Sequence, residues 1–284
     1  MRRILILGVV LAWTAAAQTA DQPIEKPVLT NNGKLLLVDY HCTGDDIHAT
    51  GLSCTVEDPC PVFLELDWVE AVGNRIFLTG NIHTSTTTLA SILLASEDAG
   101  KTWREPFDRM RAAGLDRIQF IDFENGWISG AVLHPLPRDP FLLVTSDGGQ
   151  NWRMQPVFGE PQFGSIAQFS FSSHADGAMV IDRGRGSETG RYELYETPNA
   201  GETWMLRQSN DKPIQMKRVS GTGNADWRLR AEAVTKAYRV EHHMGDAWHS
   251  VAAFLVSLGA CKPPEAPLPP PDAGAPEKPA PPRR

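Results

Sequence analysis

Four tryptophans close four related segments at near-regular intervals, and this repetition constrains the fold more than any other feature of the chain. The segments are Ser96-Glu97-Asp98-Ala99-Gly100-Lys101-Thr102-Trp103, Thr145-Ser146-Asp147-Gly148-Gly149-Gln150-Asn151-Trp152, Thr197-Pro198-Asn199-Ala200-Gly201-Glu202-Thr203-Trp204 and a decayed Glu241-His242-His243-Met244-Gly245-Asp246-Ala247-Trp248. From Trp to Trp the steps are 49, 52 and 44 residues. A period of this size means one supersecondary unit copied along the chain, each copy needing its neighbours to bury its apolar faces.

Each copy has the same grammar. An apolar run precedes the segment: Leu89 to Leu94, Pro140 to Val144, Tyr192 to Tyr195 and Ala237 to Val240. Further upstream lies a second strand candidate: Arg75 to Gly80, Trp127 to Gly130 and Ala178 to Ile181. Short β-rich runs punctuated by Gly, Asn and Asp are the strand-and-turn pattern, and no long helical periodicity interrupts it between residues 60 and 255. Ala231 to Ala237 has room for one helical turn, but its place in the repeat favours a strand. Four short strands per unit of about 50 residues predict an all-β chain, a β-propeller of about four or five four-stranded antiparallel blades.

The segment itself has a mechanical logic. Asp98, Asp147 and Asn199 can accept hydrogen bonds from the N–H groups that follow them, making an Asx-turn. Gly100, Gly149 and Gly201 supply a backbone free to take positive φ. Ser96, Thr145 and Thr197 can bond the same turn. Trp103, Trp152 and Trp204 open the next strand with a ring large enough to fill the space between sheets. In the fourth copy only Gly245 and Trp248 survive.

The pattern S/T-x-D/N-x-G-x-T/N-W resembles the Asp-box, or BNR repeat, of sialidases, sortilin-like receptors and photosystem II stability/assembly factor-like propellers. The stretch Phe120-Ile121-Asp122-Phe123-Glu124-Asn125-Gly126-Trp127-Ile128-Ser129-Gly130 is similar to the strand that precedes the box in the assembly factor-like group. The likeness covers roughly residues 62 to 256. It implies a propeller whose boxes sit on peripheral turns, away from the ligand face, so no catalytic role passes to the box residues. Such propellers usually have six or more blades, and residues 24 to 63 are left to form a boxless fifth blade or a strand closing on the last repeat.

The N-terminus reads as an export signal over residues 1–17: Arg2 and Arg3, an apolar run from Ile4 to Trp13, and Ala15-Ala16-Ala17 before Gln18. The apolar run is well short of the roughly 20 residues that span a bilayer, so the mature chain is expected to carry no integral span and to be secreted or periplasmic. Loss of the two signal arginines moves the formal charge from −7 to −9, which disfavours nucleic acid. In an oxidising compartment the four cysteines suggest disulfides, and of three possible pairings Cys54–Cys60 as a local loop and Cys42–Cys261 as a long clasp are preferred. Residues 18–63 form an N-terminal segment and 64–261 the repeats. From Lys262 onward ten prolines among Ala, Glu and Lys predict a disordered, polyproline-like tail over 262–284.

Tests for chemistry come back empty. There is no G-x-S-x-G elbow, no H-E-x-x-H helix and no D-x-D-x-D-G loop. His242 and His243 are adjacent, so in a strand they point to opposite faces and chelate poorly. Asn74-Arg75-Ile76-Phe77 only faintly echoes the arginine motif of sialidases, and Arg75 is expected to be solvated. Asp45-Asp46 and Asp122 with Glu124 are acidic pairs expected in turns, and Arg183-Gly184-Arg185-Gly186 reads as a solvated basic loop. These residues suggest no catalytic site, cofactor or metal. The expectation is a monomeric, non-catalytic scaffold for a protein or glycan partner, with a sialidase-like hydrolase as the alternative.

Overall fold

The computed structural model describes residues 27–184, 187, 190–216, 225–257 and 260–263. The expected signal segment, most of the proline-rich tail and residues Arg185 and Gly186 lie outside them. Strands β1 (Leu29–Thr30) and β2 (Leu36–Val38) lead into a short helix, α1 (Gly44–Thr50), and then β3 (Cys60–Pro61). Blade 1 follows as β4 (Phe63–Val72), β5 (Arg75–His83), β6 (Thr88–Ser96) and the short β7 (Thr102–Trp103). Blade 2 is β8 (Ala113–Phe120), β9 (Gly126–Val132), β10 (Arg138–Thr145) and β11 (Arg153–Pro156). Blade 3 is β12 (Ser165–Phe171), β13 (Gly177–Asp182), β14 (Tyr192–Thr197) and β15 (Met205–Asn210). Blade 4 is β16 (Trp227–Ala231), β17 (Tyr238–Met244) and β18 (Ala247–Val256), with β19 (Ala260–Cys261) after it.

Within blades 2 to 4 consecutive strands pair antiparallel, as short hairpin connections require; in blade 1 this holds for β4, β5 and β6, and the chain after β7 meets β6 at the single Ala95–Arg104 bridge. Blade 4 obtains its fourth strand from the other end of the chain. Phe254, Leu255 and Val256 of β18 pair with Leu36, Leu37 and Val38 of β2, and the pairing is parallel. Residues 24–63 therefore build no fifth blade; β2 joins the last repeat, and that sheet is not wholly antiparallel. β1 meanwhile edges blade 1, with Leu29 opposite Trp103.

The apolar runs are continuous because middle strands are buried on both faces. On β5, Ile76 and Leu78 point into the core shared with blade 4, while Phe77 points into the core shared with blade 2. On β9 and β10, Ile128, Phe141 and Leu143 face blade 1, while Trp127 and Leu142 face blade 3. Three apolar clusters thus join blade 4 to 1, 1 to 2 and 2 to 3. Among the described residues none joins blade 3 to blade 4, whose connection, 217–224, lies outside them.

One disulfide locks the N-terminal segment to the end of the repeats, and a second closes a short loop within that segment. Cys42 is bonded to Cys261 and Cys54 to Cys60, and β3 pairs with β19 beside them. Helix α1 starts in a capping box, Thr43 and Asp46 each bonding the other's backbone N–H. This places Asp46 of the Asp45-Asp46 pair at a helix start, with Arg111 3.1 Å away. The strand expected over 231–237 is instead a turn: Glu232 N–H bonds Ala237 O and Lys236 takes φ 59°.

Candidate functional site

The two ends of the propeller differ. At one end lie the β4–β5, β8–β9 and β12–β13 turns together with the repeated segments, which bond them: Ala99 N to Asn74 O, Gly148 N to Glu124 O and Ala200 N to Ala175 O, all at 2.7–2.8 Å. In the first segment Asp98 Oδ1 accepts from the N–H groups of Lys101 and Thr102 and from Ser96 Oγ, while Thr102 Oγ1 reaches Oδ2 at 2.7 Å. Gly100 N–H donates to Ser96 Oγ, and Trp103 Nε1 to Gly100 O. The second segment repeats this through Thr145, Asp147, Gly149, Asn151 and Trp152. The third does so through Thr197, Asn199, Gly201 and Thr203, except that Trp204 Nε1 finds no acceptor. Desolvation works against the ionised forms of Asp98 and Asp147, but these donors prevail and hold both carboxyls below the usual carboxylate range.

These segments join blades. Gly149 lies under the Phe77 ring of blade 1, and Arg75 donates to Gly148 O at 2.7 Å. Trp127 of blade 2 donates to Ala200 O, and Asn31 to Gly100 O. Arg75, expected in solvent, is thus an inter-blade tie that also bonds Phe123 O. The fourth segment falls elsewhere: Gly245 and Trp248 belong to the β17–β18 hairpin, the second connection of its blade, whereas the other three segments occupy the third. Its histidines sit on rings, His242 on Trp227 at 4.2 Å and His243 by Trp248 at 5.0 Å. Asp122 caps its own turn through Glu124 N and Asn125 N.

At the opposite end lie the loops 84–87 and 133–137, with Arg183, Gly184, Ser187 and Arg191 beside the latter. Thr87 Oγ1 lies 2.9 Å from His134 Nδ1, fastening blade 1 to blade 2. Between blades 2 and 3 opens a groove of about 750 Å³ lined by Leu136, Pro137, Gln162, Phe163, Arg183 and Arg191. Phe163 is 62% exposed and Leu136 58%, two large apolar side chains left open on adjacent segments that Gly164 N–H to Pro137 O and Asp139 N–H to Gln162 O hold together. Arg183 is not a solvated loop residue. It donates to Glu193 at 2.7 Å, to the Tyr195 hydroxyl at 2.9 Å and to Phe163 O, and lies over the Phe158 ring. Tyr195 in turn donates to Glu193, and burial followed by that bond pushes its phenol up, away from nucleophilic use. Arg191 forks onto Asp182, and this bond is the main reason the Asp182 carboxyl is held low.

Beside the groove, sharing Ser165 with it, a smaller cavity of about 240 Å³ opens toward the axis. The first strands β4, β8 and β12 carry a bulge at equivalent places, after Leu66, Leu115 and Ile166. A bulge leaves residues out of the ladder and re-aims their side chains. Here it releases Asp67 and Asp116 into the cavity wall. Both side chains are exposed at the surface, while protein atoms crowd them on the wall side and weaken their hydration there. Burial, then the charges of Glu65 and Asp116, push Asp67 up to about 7; burial raises Asp116 as well, against Arg117. Asn81 Nδ2 donates to Glu65 at 3.4 Å, whereas buried Asn81 Oδ1 has no partner. Neither aspartate was expected as a site residue, although the chain carries a signal for them: Leu66-Asp67 and Leu115-Asp116 are 49 residues apart, the same step as Trp103 to Trp152. Among the described residues no group of three or more His, Cys, Asp or Glu could hold a metal ion.

No protein-family model matches the chain, and no curated protein does. Solved structures with a similar fold include YCF48 bound to D1 peptide, at 18% identity and a TM-score of 0.40, covering 68% of this chain and 56% of that one. The chain has a β-propeller fold. The GH74 xyloglucanase of Xanthomonas campestris is similar at 19% identity and TM-score 0.34, over 47% of this chain and 18% of that one. The α-L-arabinofuranosidase Arb93A of Fusarium graminearum is similar at 13% identity and TM-score 0.32, over 67% and 57%. The matched part thus spans little more than half of two of these structures and under a fifth of the xyloglucanase. The likenesses are of fold alone.

Proposed function

We propose that this propeller is an exported, non-catalytic scaffold that docks an extended segment of a protein partner in the groove between blades 2 and 3. One observation carries the reading. Phe163 and Leu136 stand exposed on two adjacent, hydrogen-bonded segments along one wall of a groove that Arg183 and Arg191, held by Glu193, Tyr195 and Asp182, also line. Fixed apolar anchors rimmed by satisfied polar groups are the anatomy of a recognition site, and loops on a rigid ring are where propellers present one. Two disulfides in the described residues suit an oxidising compartment. The sialidase-type alternative gains nothing from this arrangement: Arg183 and Arg191 are each matched to a carboxylate and the Tyr195 phenol is pushed up.

Random twelve-residue peptides displayed on phage and panned on the mature protein test this. Selected peptides are expected to lose at least tenfold in affinity to a Phe163→Ala, Leu136→Ala double variant, since truncating two central apolar anchors costs over 1 kcal/mol. Failure to select any peptide, or selected peptides indifferent to the double variant, overturns the reading.

A further inference from the structure

We propose that the axial cavity between blades 1 and 2 is a receptor for one cationic side chain, the ammonium of lysine or the guanidinium of arginine, presented by the segment that lies in the adjoining groove. The inference rests on the groove reading for its source of the cation, but the cavity's chemistry stands by itself. Its wall offers acceptors far in excess of donors. Asp67 and Asp116 project from the bulges of β4 and β8, and Glu65 stands one strand alternation from Asp67. The Asn81 amide has its N–H₂ turned to the carboxylates, so its oxygen is left over, and Asn81 is only 7% exposed. A buried amide oxygen without a hydrogen bond is costly, so the Asn81 amide is held in place by its N–H₂ bonds to the carboxylates.

The rest of the wall narrows the class. An anion is repelled by the carboxylates. Among the described residues no group of three or more potential ligands could hold a bare metal ion. Leu115, Leu133 and Ile166 also line the cavity, which suits a side chain with an alkyl stem and a charged head. Ser165 borders both cavity and groove, so a segment anchored at Phe163 has a direct path for one side chain into the cavity. The chain's charge of −7 favours a cationic visitor from a distance as well.

Protonation of Asp67 gates the site. The charged groups facing it are Glu65 on its own strand and Asp116 on β8; Tyr238 of β17 feels both Glu65 and Asp67, Arg117 acts on Asp116, and His83 stands 4.0 Å from Glu65. With Asp67 titrating at about 7, roughly nine-tenths of the sites are ionised at pH 8 and roughly one in thirty at pH 5.5. A ligand that needs the ionised form binds about 30-fold more tightly at the higher pH.

The test uses the mature chain, isotope-labelled, and n-butylammonium chloride as a stand-in for the lysine head and stem. The expected result is saturable shifts of the Asn81 side-chain amide and of the Asp67 and Asp116 backbone amides. Affinity should be about 30-fold higher at pH 8 than at pH 5.5, with n-butanol and sodium chloride producing no saturable change. Asp67→Asn and Asp116→Asn should each weaken binding at least tenfold, and Asp67→Asn should flatten the pH dependence; an unchanged amide spectrum elsewhere establishes their folding. Shifts that do not saturate, that sodium reproduces, or that survive both substitutions overturn the inference. The two proposals fail separately. If butylammonium binds but panned peptides ignore Phe163→Ala, the groove reading falls and the cation site stands. If panned peptides depend on Phe163 yet butylammonium does not bind and Lys and Arg are not enriched, the cation site falls alone.

Discussion

Removing the two disulfides one at a time should have very unequal effects, and the inequality comes from where each bond closes the chain. Cys42 and Cys261 are 219 residues apart, whereas Cys54 and Cys60 are separated by 6. A cross-link stabilises mainly by restricting the unfolded chain, with an entropy that grows as the logarithm of the loop. At 25 °C this gives about 5 kcal/mol for the long bridge and about 2 kcal/mol for the short one. Alanine replaces sulfur best, because Cys261 is fully buried in the core shared by blades 1 and 4 and a serine would bury a hydroxyl. For a domain of this size the long-bridge double variant should melt about 10–20 °C below the parent and the short-bridge one about 4–8 °C below. In guanidinium, the Cys42→Ala, Cys261→Ala protein should also show the steeper dependence on denaturant, because its unfolded chain expands further. Equal losses in the two variants, or a larger loss from Cys54→Ala with Cys60→Ala, would refute the loop-closure argument and place the stabilisation in local contacts.

Three further substitutions probe the turns and the axis. Gly149→Ala should cost about 3 kcal/mol or more, since φ is +85° and a Cβ would stand 2.5 Å from Phe77 ring atoms. Gly245→Ala should cost about 1 kcal/mol, having φ +63° with open space around it; thermal melts showing equal losses would contradict the placement of the fourth segment outside the inter-blade contacts. Asp67→Asn should stabilise the protein at pH 8 and lose that advantage as pH falls. The folded carboxyl titrates at about 7, above the unfolded value of about 4, so stability falls as pH rises between them, and asparagine removes that fall. A flat difference between variant and parent in denaturant melts from pH 4 to 8 would show that Asp67 keeps ordinary hydration.

Much of the architecture was legible in one dimension because it is local. The Asx-turn of Asp98, the positive φ of Gly100 and the strand opened by Trp103 all lie within eight residues, so their geometry is written in adjacent side chains. The same holds for the alternation that sends Phe77 and Leu78 to different cores. The fourth segment misled for the converse reason. A Gly and a Trp at the right spacing also suit an ordinary hairpin, and without the Asp and Thr no local bond distinguishes the two.

The axial carboxylates were legible only as a repeated Leu-Asp pair, since their chemistry needs partners from three strands. Asp67 acquires its raised affinity for protons first from crowding that only packing creates, then from the charge of Glu65, and last from that of Asp116, 49 residues away. Arg75 and Arg183 looked like solvated cations because their acceptors, Gly148 O and Glu193, are brought to them by other turns and strands. The sequence by itself determined the repeating turn and the strand pattern, set by short-range stereochemistry and composition, while of the cysteine pairings it could only prefer the one the structure shows. The tertiary structure decided how the ends meet, with β2 joining the last blade in parallel, and which charges lose water, because solvation is a property of the whole packed neighbourhood.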